Sequence, residues 1–255
     1  MSTIKNNLTL ALAALILTFS LSACTTTPVS RPAADAVIYD STAISPGVRE
    51  DLYHSVAPGE TLWRIAQMYD VNINTLKKVN NIRDVQDIEI GTKLYIPDAA
   101  RRRHVITLYP SRKWKYIIIH HSATDFGSSA QFNKAHLNRG WRGIGYHFVI
   151  DNGTCGKDDG QIETTPRWIE QTAGAHCKAG HMNDRGIGIC LVGNFSEGDI
   201  SHKQMRSLVL LVNKLRKYYR IPKSHIMGHG QVVGANTECP GKHFPWATFW
   251  SKLGR

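Results

Sequence analysis

The sequence predicts an α/β protein: a mixed central β-sheet flanked by helices, preceded by a small βααβ unit. Three observations carry this. The apolar runs over 116–120 and 187–192 are rich in β-branched residues and short enough for buried strands. They are interspersed with helical stretches, the longest over 202–219, and such alternation builds a sheet covered by helices. Ahead of them, residues 53–97 carry the order strand, helix, helix, strand between turn signals.

The chain opens on an export signal over 1–23. Lys5 precedes an apolar stretch over 8–19, and Leu21-Ser22-Ala23-Cys24 follows. A basic residue, a short apolar run and small residues before a cut point make a secretory signal, and the run is short for a bilayer span. Cys24 directly after Leu-Ser-Ala resembles the lipobox of bacterial lipoproteins. That resemblance implies cleavage before Cys24, acylation of its thiol and new amino group (a palmitate-type anchor), and attachment to a membrane without a spanning helix. Thr25, not Asp, follows the cysteine; by the sorting pattern of such proteins this implies the outer membrane, facing the periplasm. Residues 24–50 are rich in Thr, Ser, Pro and Ala without a period, and are read as a flexible tether.

The 255 residues are 42% hydrophobic, enough for one good core and a smaller domain. The net charge of +11 would suggest nucleic acid inside a cell. Behind an export signal it excludes that partner and points to anionic wall polymers or acidic lipid surfaces.

In the unit over 52–97, Pro58-Gly59 marks a turn. Thr61 caps a helix in which Leu62, Ile65, Ala66 and Tyr69 keep helical spacing. Asn74 is the expected cap of a second helix holding Leu76 and Val79. Gly91 then releases a strand over 93–96, which Pro97 is expected to stop. The stretches HSVAPGETLWRIAQMYDV, LKKVNNI and IEIGTKLYIP, in this order, resemble the lysin-motif (LysM) family over the whole segment. The resemblance implies binding of N-acetylglucosamine-containing glycans such as peptidoglycan. Gly59, Glu60 and Thr61 in one loop, and Asn80 and Ile82 in another, would face the sugar. Residues 98–103 read as a linker.

The last unit, 104–255, is expected to run strand (116–120), helix (129–138), strands (146–150 and 187–192), helix (202–219) and a short strand near Ile226. The long helix has an apolar stripe of Met205, Leu208, Val209, Val212 and Leu215, and Ser201 with Gln204 fits a capping box. Cys190, inside GIGICLVG, reads as a buried free thiol, while Cys155 and Cys177 are open to pairing.

Three residues sit where an apolar element meets a loop: His120, His229 and Cys239. Neighbouring side chains on a strand point to opposite faces, so His120 and His121 cannot both serve one site. His229 lies between glycines that permit a tight turn. Two imidazoles and a thiolate suit Zn²⁺. The spacing of His229 and Cys239 is no standard finger spacing, so spacing alone leaves a metal site open.

IIIHHSAT, GWRGIGYHFVI, GAHCKAGHMNDRGIGICLVGNF and GHGQVVGANTECPG, in this order, resemble the zinc-dependent N-acetylmuramoyl-L-alanine amidases. This is the superfamily of phage amidase-lysozymes and peptidoglycan recognition proteins, and the likeness covers about 115–250. It implies a peptidoglycan hydrolase acting on the amide between N-acetylmuramic acid and L-alanine of the stem peptide. His120, His229 and Cys239 would hold Zn²⁺, and His121 would turn away into packing or a supporting hydrogen bond. Tyr146 and Thr237 would supply hydroxyl donors to the oxyanion that forms when water attacks the carbonyl. His176 and Asn183 would line the groove for muramyl peptide. Glu163 and Glu170 are weaker candidates for the general acid. Trp141, His136 and His147 read as structural. The stretch between His229 and Cys239 is longer than in the members compared, which leaves peptide selectivity open. Some members recognise peptidoglycan without cleaving it, having lost a ligand or the tyrosine; all four residues stand here, which favours an enzyme over a recognition lipoprotein.

Overall fold

The computed structural model describes residues 36–40, 48–100 and 104–254. The signal segment and Cys24 lie outside the described residues. Strand β1 (Ala36–Asp40) falls in the stretch read as a tether, which corrects that reading. Val37, Ile38 and Tyr39 are strand-prone, and the Thr- and Pro-rich composition around them hid the run.

In the small unit, β2 (Arg49–Ser55) precedes α1 (Leu62–Tyr69) and α2 (Ile73–Val79), and β3 (Lys93–Ala100) closes it by pairing antiparallel with β2. Thr61 caps α1 by accepting from the Arg64 N–H, and Asp70 ends the helix in the left-handed conformation. The cap of α2 is Asn72, not Asn74: its Oδ1 accepts from the N–H groups of Asn74 (2.8 Å) and Thr75 (3.3 Å). Two asparagines lie two residues apart, and the cap falls on the one whose backbone is still extended. Strand β3 runs through Pro97, against expectation. Leu52 pairs with Ile96 but Glu50 with Ala99, so the proline falls at a bulge where no ladder donor is needed. Leu62, Ile65, Tyr69, Leu76, Leu94 and Ile96 form the unit's core.

Strand β4 (His104–Leu108) pairs antiparallel with β1, so β3 and β4 leave only 101–103 between them, and the expected linker is shorter than read. The main sheet holds β5 (Tyr116–His121), β6 (Phe148–Asn152), β7 (Asp159–Thr164), β8 (Gly186–Leu191) and β9 (Ile226–Gly228), in the order β7-β6-β8-β5-β9. β7 is antiparallel to β6 and the other pairs are parallel. Helices α3 (Ser129–Asn138), α4 (Pro166–Ile169), α5 (Met182–Arg185), α6 (His202–Tyr219) and α7 (Trp246–Lys252) complete the fold.

The expected bounds of α3 and α6 are the observed ones, and the Ser201–Gln204 capping box is formed. β7 was not foreseen because most of its buried side chains are polar, Gln161, Glu163 and Thr164, with Ile162 alone among them apolar. Leu208, Leu211, Val212 and Leu215 of α6 pack with Ile117, Ile119, Phe148, Ile187 and Ile189 in the main core. By alternation His120, Gly188 and Cys190 fall on the opposite face, with His120 paired to Cys190 across the ladder. Cys155, Cys177, Cys190 and Cys239 are all free thiols, so Cys155 and Cys177 do not pair. No helix among the described residues is long and apolar enough to cross a membrane.

The small unit is docked on the sheet domain through buried polar contacts. Arg64 donates to Thr164 Oγ1 (2.5 Å) and to the Val105 carbonyl, and Lys157 donates to the Ser55 carbonyl (3.0 Å) while pairing with Glu163 (3.0 Å). A Cβ at Gly59 would lie 2.8 Å from Ile169 Cδ1, so the Pro58-Gly59 turn abuts α4.

Candidate metal centre and active site

β5 carries His120 to the end of the sheet, 1% exposed, on the face away from α6. β9 delivers the chain through Gly228 to His229. The next glycine is obligatory: a Cβ at Gly230 would lie 2.2 Å from the Thr237 carbonyl, and the Gly230 N–H donates to the Cys239 carbonyl at 2.7 Å. That close backbone approach brings Cys239 beside His229. The ligand atoms of His120, His229 and Cys239 all lie within 4.8 Å of one another, with His120 Nδ1 3.6 Å from Cys239 Sγ. Val232 packs beneath this segment with Ile118 and Met182, while Val233 stands out at 91% exposed, so the long connection bulges at the surface.

Burial pushes the His120 imidazole well below its ordinary pKa, helped by His176, His229, His121 and His147, and burial lowers His229 too. Both stay neutral, with a lone pair to give. Burial pushes the Cys239 thiol up to about 12, although the His121 N–H donates to its sulfur at 3.4 Å. A thiolate here needs a cation beside it. Two nitrogens and one sulfur of this kind fit Zn²⁺, so the residues suit the metal the resemblance implies.

Tyr146, in the loop before β6, has its ring 5.2 Å from that of His120. Desolvation, and then the nearby thiols Cys190 and Cys239, raise its hydroxyl well above the usual pKa, so it keeps its proton and can donate. Thr237 is exposed, and its Oγ1 accepts from the Cys239 N–H at 3.2 Å, which leaves its proton free to donate. His121 takes the α6 side of the strand, where its Nδ1 accepts from the Phe195 N–H at 3.1 Å.

Other expected site residues are placed differently. His176 is buried behind His120, Nδ1 to Nε2 3.1 Å, and does not line an open groove. Asn183 builds the loop that carries it: Oδ1 accepts from the N–H groups of His176 and Cys177, both at 2.7 Å. Glu163 is buried between Ser129 N–H and Lys157, and Glu170 caps the end of α4; neither joins the cluster. His136 Nδ1 accepts from Gly145 N–H, with Trp141 packed on its ring at 4.6 Å, and His147 Nδ1 accepts from Gly188 N–H.

In the small unit, Glu60 is buried, accepting from His54 Nε2 and Ala57 N–H, both at 2.7 Å. Asn80 bridges α2 and β3 through Leu76 and Tyr95, and Ile82 packs on the small core. Thr61 is the cap of α1 and Gly59 abuts α4. The Glu60 side chain is thus buried and that of Asn80 half-buried, both satisfied by partners inside the unit.

Glu60 makes stability pH-dependent. Burial raises its pKa, but the charges and hydrogen bond of His54, then Lys157 and the Ala57 N–H, outweigh this and hold it at about 2. A depressed carboxylate stabilises fully above its ordinary pKa of 4.5, and that stability is lost as pH falls toward 2. The loss is on the order of 3 kcal/mol. Thermal melts of the protein and of Glu60→Gln should therefore converge between pH 4.5 and 2; a constant gap across that window would refute the assignment.

Comparison with known proteins identifies the family. Residues 110–242, more than half of the chain, match the N-acetylmuramoyl-L-alanine amidase family, and residues 54–97 match the LysM domain. The chain is 31% identical over 130 residues to an endolysin of Enterobacteria phage K11, covering 48% of this chain and 77% of the endolysin. It is 34% identical over 138 residues to peptidoglycan-recognition protein LB of Drosophila melanogaster, covering 49% of this chain and 54% of that protein. Among solved structures, the N-acetylmuramoyl-L-alanine amidase LysC from Clostridium intestinale URNW is similar at 33% identity and a TM-score of 0.47, over 56% of this chain and 88% of that one. Family match, relatives and the converging histidines and cysteine lead to one conclusion: the chain belongs to the N-acetylmuramoyl-L-alanine amidase family, with a LysM domain ahead of the amidase domain.

Proposed function

We propose that this protein hydrolyses the amide between N-acetylmuramic acid and L-alanine in peptidoglycan, with Zn²⁺ held by His120, His229 and Cys239. The convergence of those three ligand atoms within 4.8 Å, beside Tyr146, carries the reading. Bound there, zinc would polarise the amide carbonyl and make water a competent nucleophile at neutral pH. The chain's own residues do the rest. His120 and His229 stay neutral and keep lone pairs available. The His121 N–H steadies the Cys239 sulfur. Tyr146 and Thr237 hold hydroxyl protons where the carbonyl oxygen gains charge.

The lipobox-like Leu21-Ser22-Ala23-Cys24 supports an acyl anchor at Cys24, which would place the enzyme on the outer membrane facing the periplasm. The LysM domain would hold glycan strands near the cleft, raising the local substrate concentration.

The test is digestion of purified sacculi by the full-length protein, with products identified by mass. Free stem peptides beginning at L-alanine, lost on chelation and restored by Zn²⁺, are expected. Binding to sacculi without cleavage in any metal state would overturn the enzyme and leave a recognition protein.

A further inference from the structure

We propose that His176 is a positioning residue for His120: it holds the His120 ring proton on Nε2 and so keeps the Nδ1 lone pair facing Cys239. This deepens the zinc reading and rests on it.

The argument follows the donors. A carbonyl oxygen only accepts, so His176 Nε2, 3.2 Å from the Gly186 carbonyl, must donate. A neutral imidazole has one donor and one acceptor, so His176 Nδ1 is then the acceptor. Its partner at 3.1 Å is His120 Nε2, which must carry the proton. His120 Nδ1 is left with its lone pair, and it is this atom that lies 3.6 Å from Cys239 Sγ. A backbone carbonyl on β8 therefore sets the tautomer of a ligand on β5 through one intervening ring.

The fold is shaped to seat that ring. A Cβ at Gly174 would lie 2.3 Å from His176 Cδ2, and one at Gly188 would lie 2.5 Å from it. Both flanking positions must be glycine for the imidazole to fit. Asn183 Oδ1 fixes the His176 backbone at 2.7 Å, and the His147 ring closes on it edge-on with centroids 5.5 Å apart. At 8% exposure the ring is a support for the site, not a surface for substrate.

The experiment uses the full-length protein. Long-range ¹H–¹⁵N correlation on the metal-free protein reads the tautomer of His120 directly, and the Nε2–H form is expected. Competition with a chelating dye then gives zinc affinity. His176→Phe, which fills the seat but cannot accept, should weaken binding about 10–100-fold. His176→Gln should stay within a few fold, because its amide can accept from His120 and donate to Gly186. A His120 proton on Nδ1 would overturn the proposal, as would unchanged zinc affinity in a folded His176→Phe. Gln as damaging as Phe, with both variants folded, would reduce His176 to packing. If His176→Phe fails to fold, the tautomer of the unaltered protein still decides. Absence of zinc binding by the unaltered protein would instead sink the zinc reading, and the tautomer measurement keeps the two failures apart.

Discussion

On the proposed zinc reading, Cys239→Ala is expected to lower amide cleavage on the order of a thousandfold or more, because it would remove the sulfur ligand and with it the metal chemistry. Sγ lies 3.6 Å from His120 Nδ1, and burial holds the thiol near pKa 12 until a cation is present. Cys239 stands in none of the apolar core clusters of the described residues, and its sulfur accepts from the His121 N–H. So the variant should melt close to the parent and lose bound zinc, read as metal per protein by mass spectrometry. Cleavage at the parental rate would remove Cys239 from the mechanism.

Tyr146→Phe should cost about 10²–10³ in kcat, the range for loss of one oxyanion donor. The ring stays, so its packing beside His120 stays, and zinc affinity should not change. The expected signature is a fall in kcat with KM nearly constant, since the hydroxyl is proposed to act where charge develops. Thr237→Val should cost less: that hydroxyl is exposed, and its oxygen is already engaged by the Cys239 N–H. An unchanged kcat in Tyr146→Phe would assign the tyrosine to packing beside His120 alone.

Much of the fold was legible because its causes are local. The bounds of α6 follow from an apolar stripe at helical spacing and a capping box four residues long, all visible in the chain. The errors have equally specific reasons. Asn72 and Asn74 are both good caps, and only the backbone at Asn72 decides between them. Pro97 is a strand breaker unless a bulge absorbs it, and the bulge, with Pro97 and Asp98 opposite Asp51 alone, shows only once the strands pair. β7 hides because most of its buried side chains are polar, held by Ser129 and Arg64 from far off in sequence.

The chain by itself determined the chemistry on offer: two histidines and a cysteine at element ends, a tyrosine at the head of an expected strand, and glycines beside His229. Strand alternation further required that only one of His120 and His121 serve the site. Only the tertiary structure decided the rest. It put His120 on the face away from α6, brought Cys239 to it through the Gly230 contact, and turned Glu60 inward. It also moved His176 from an expected groove to a seat behind the first ligand. Hydrogen-bond partners separated by dozens of residues are set by sheet register and by where a side chain is missing, and neither is written in the local pattern.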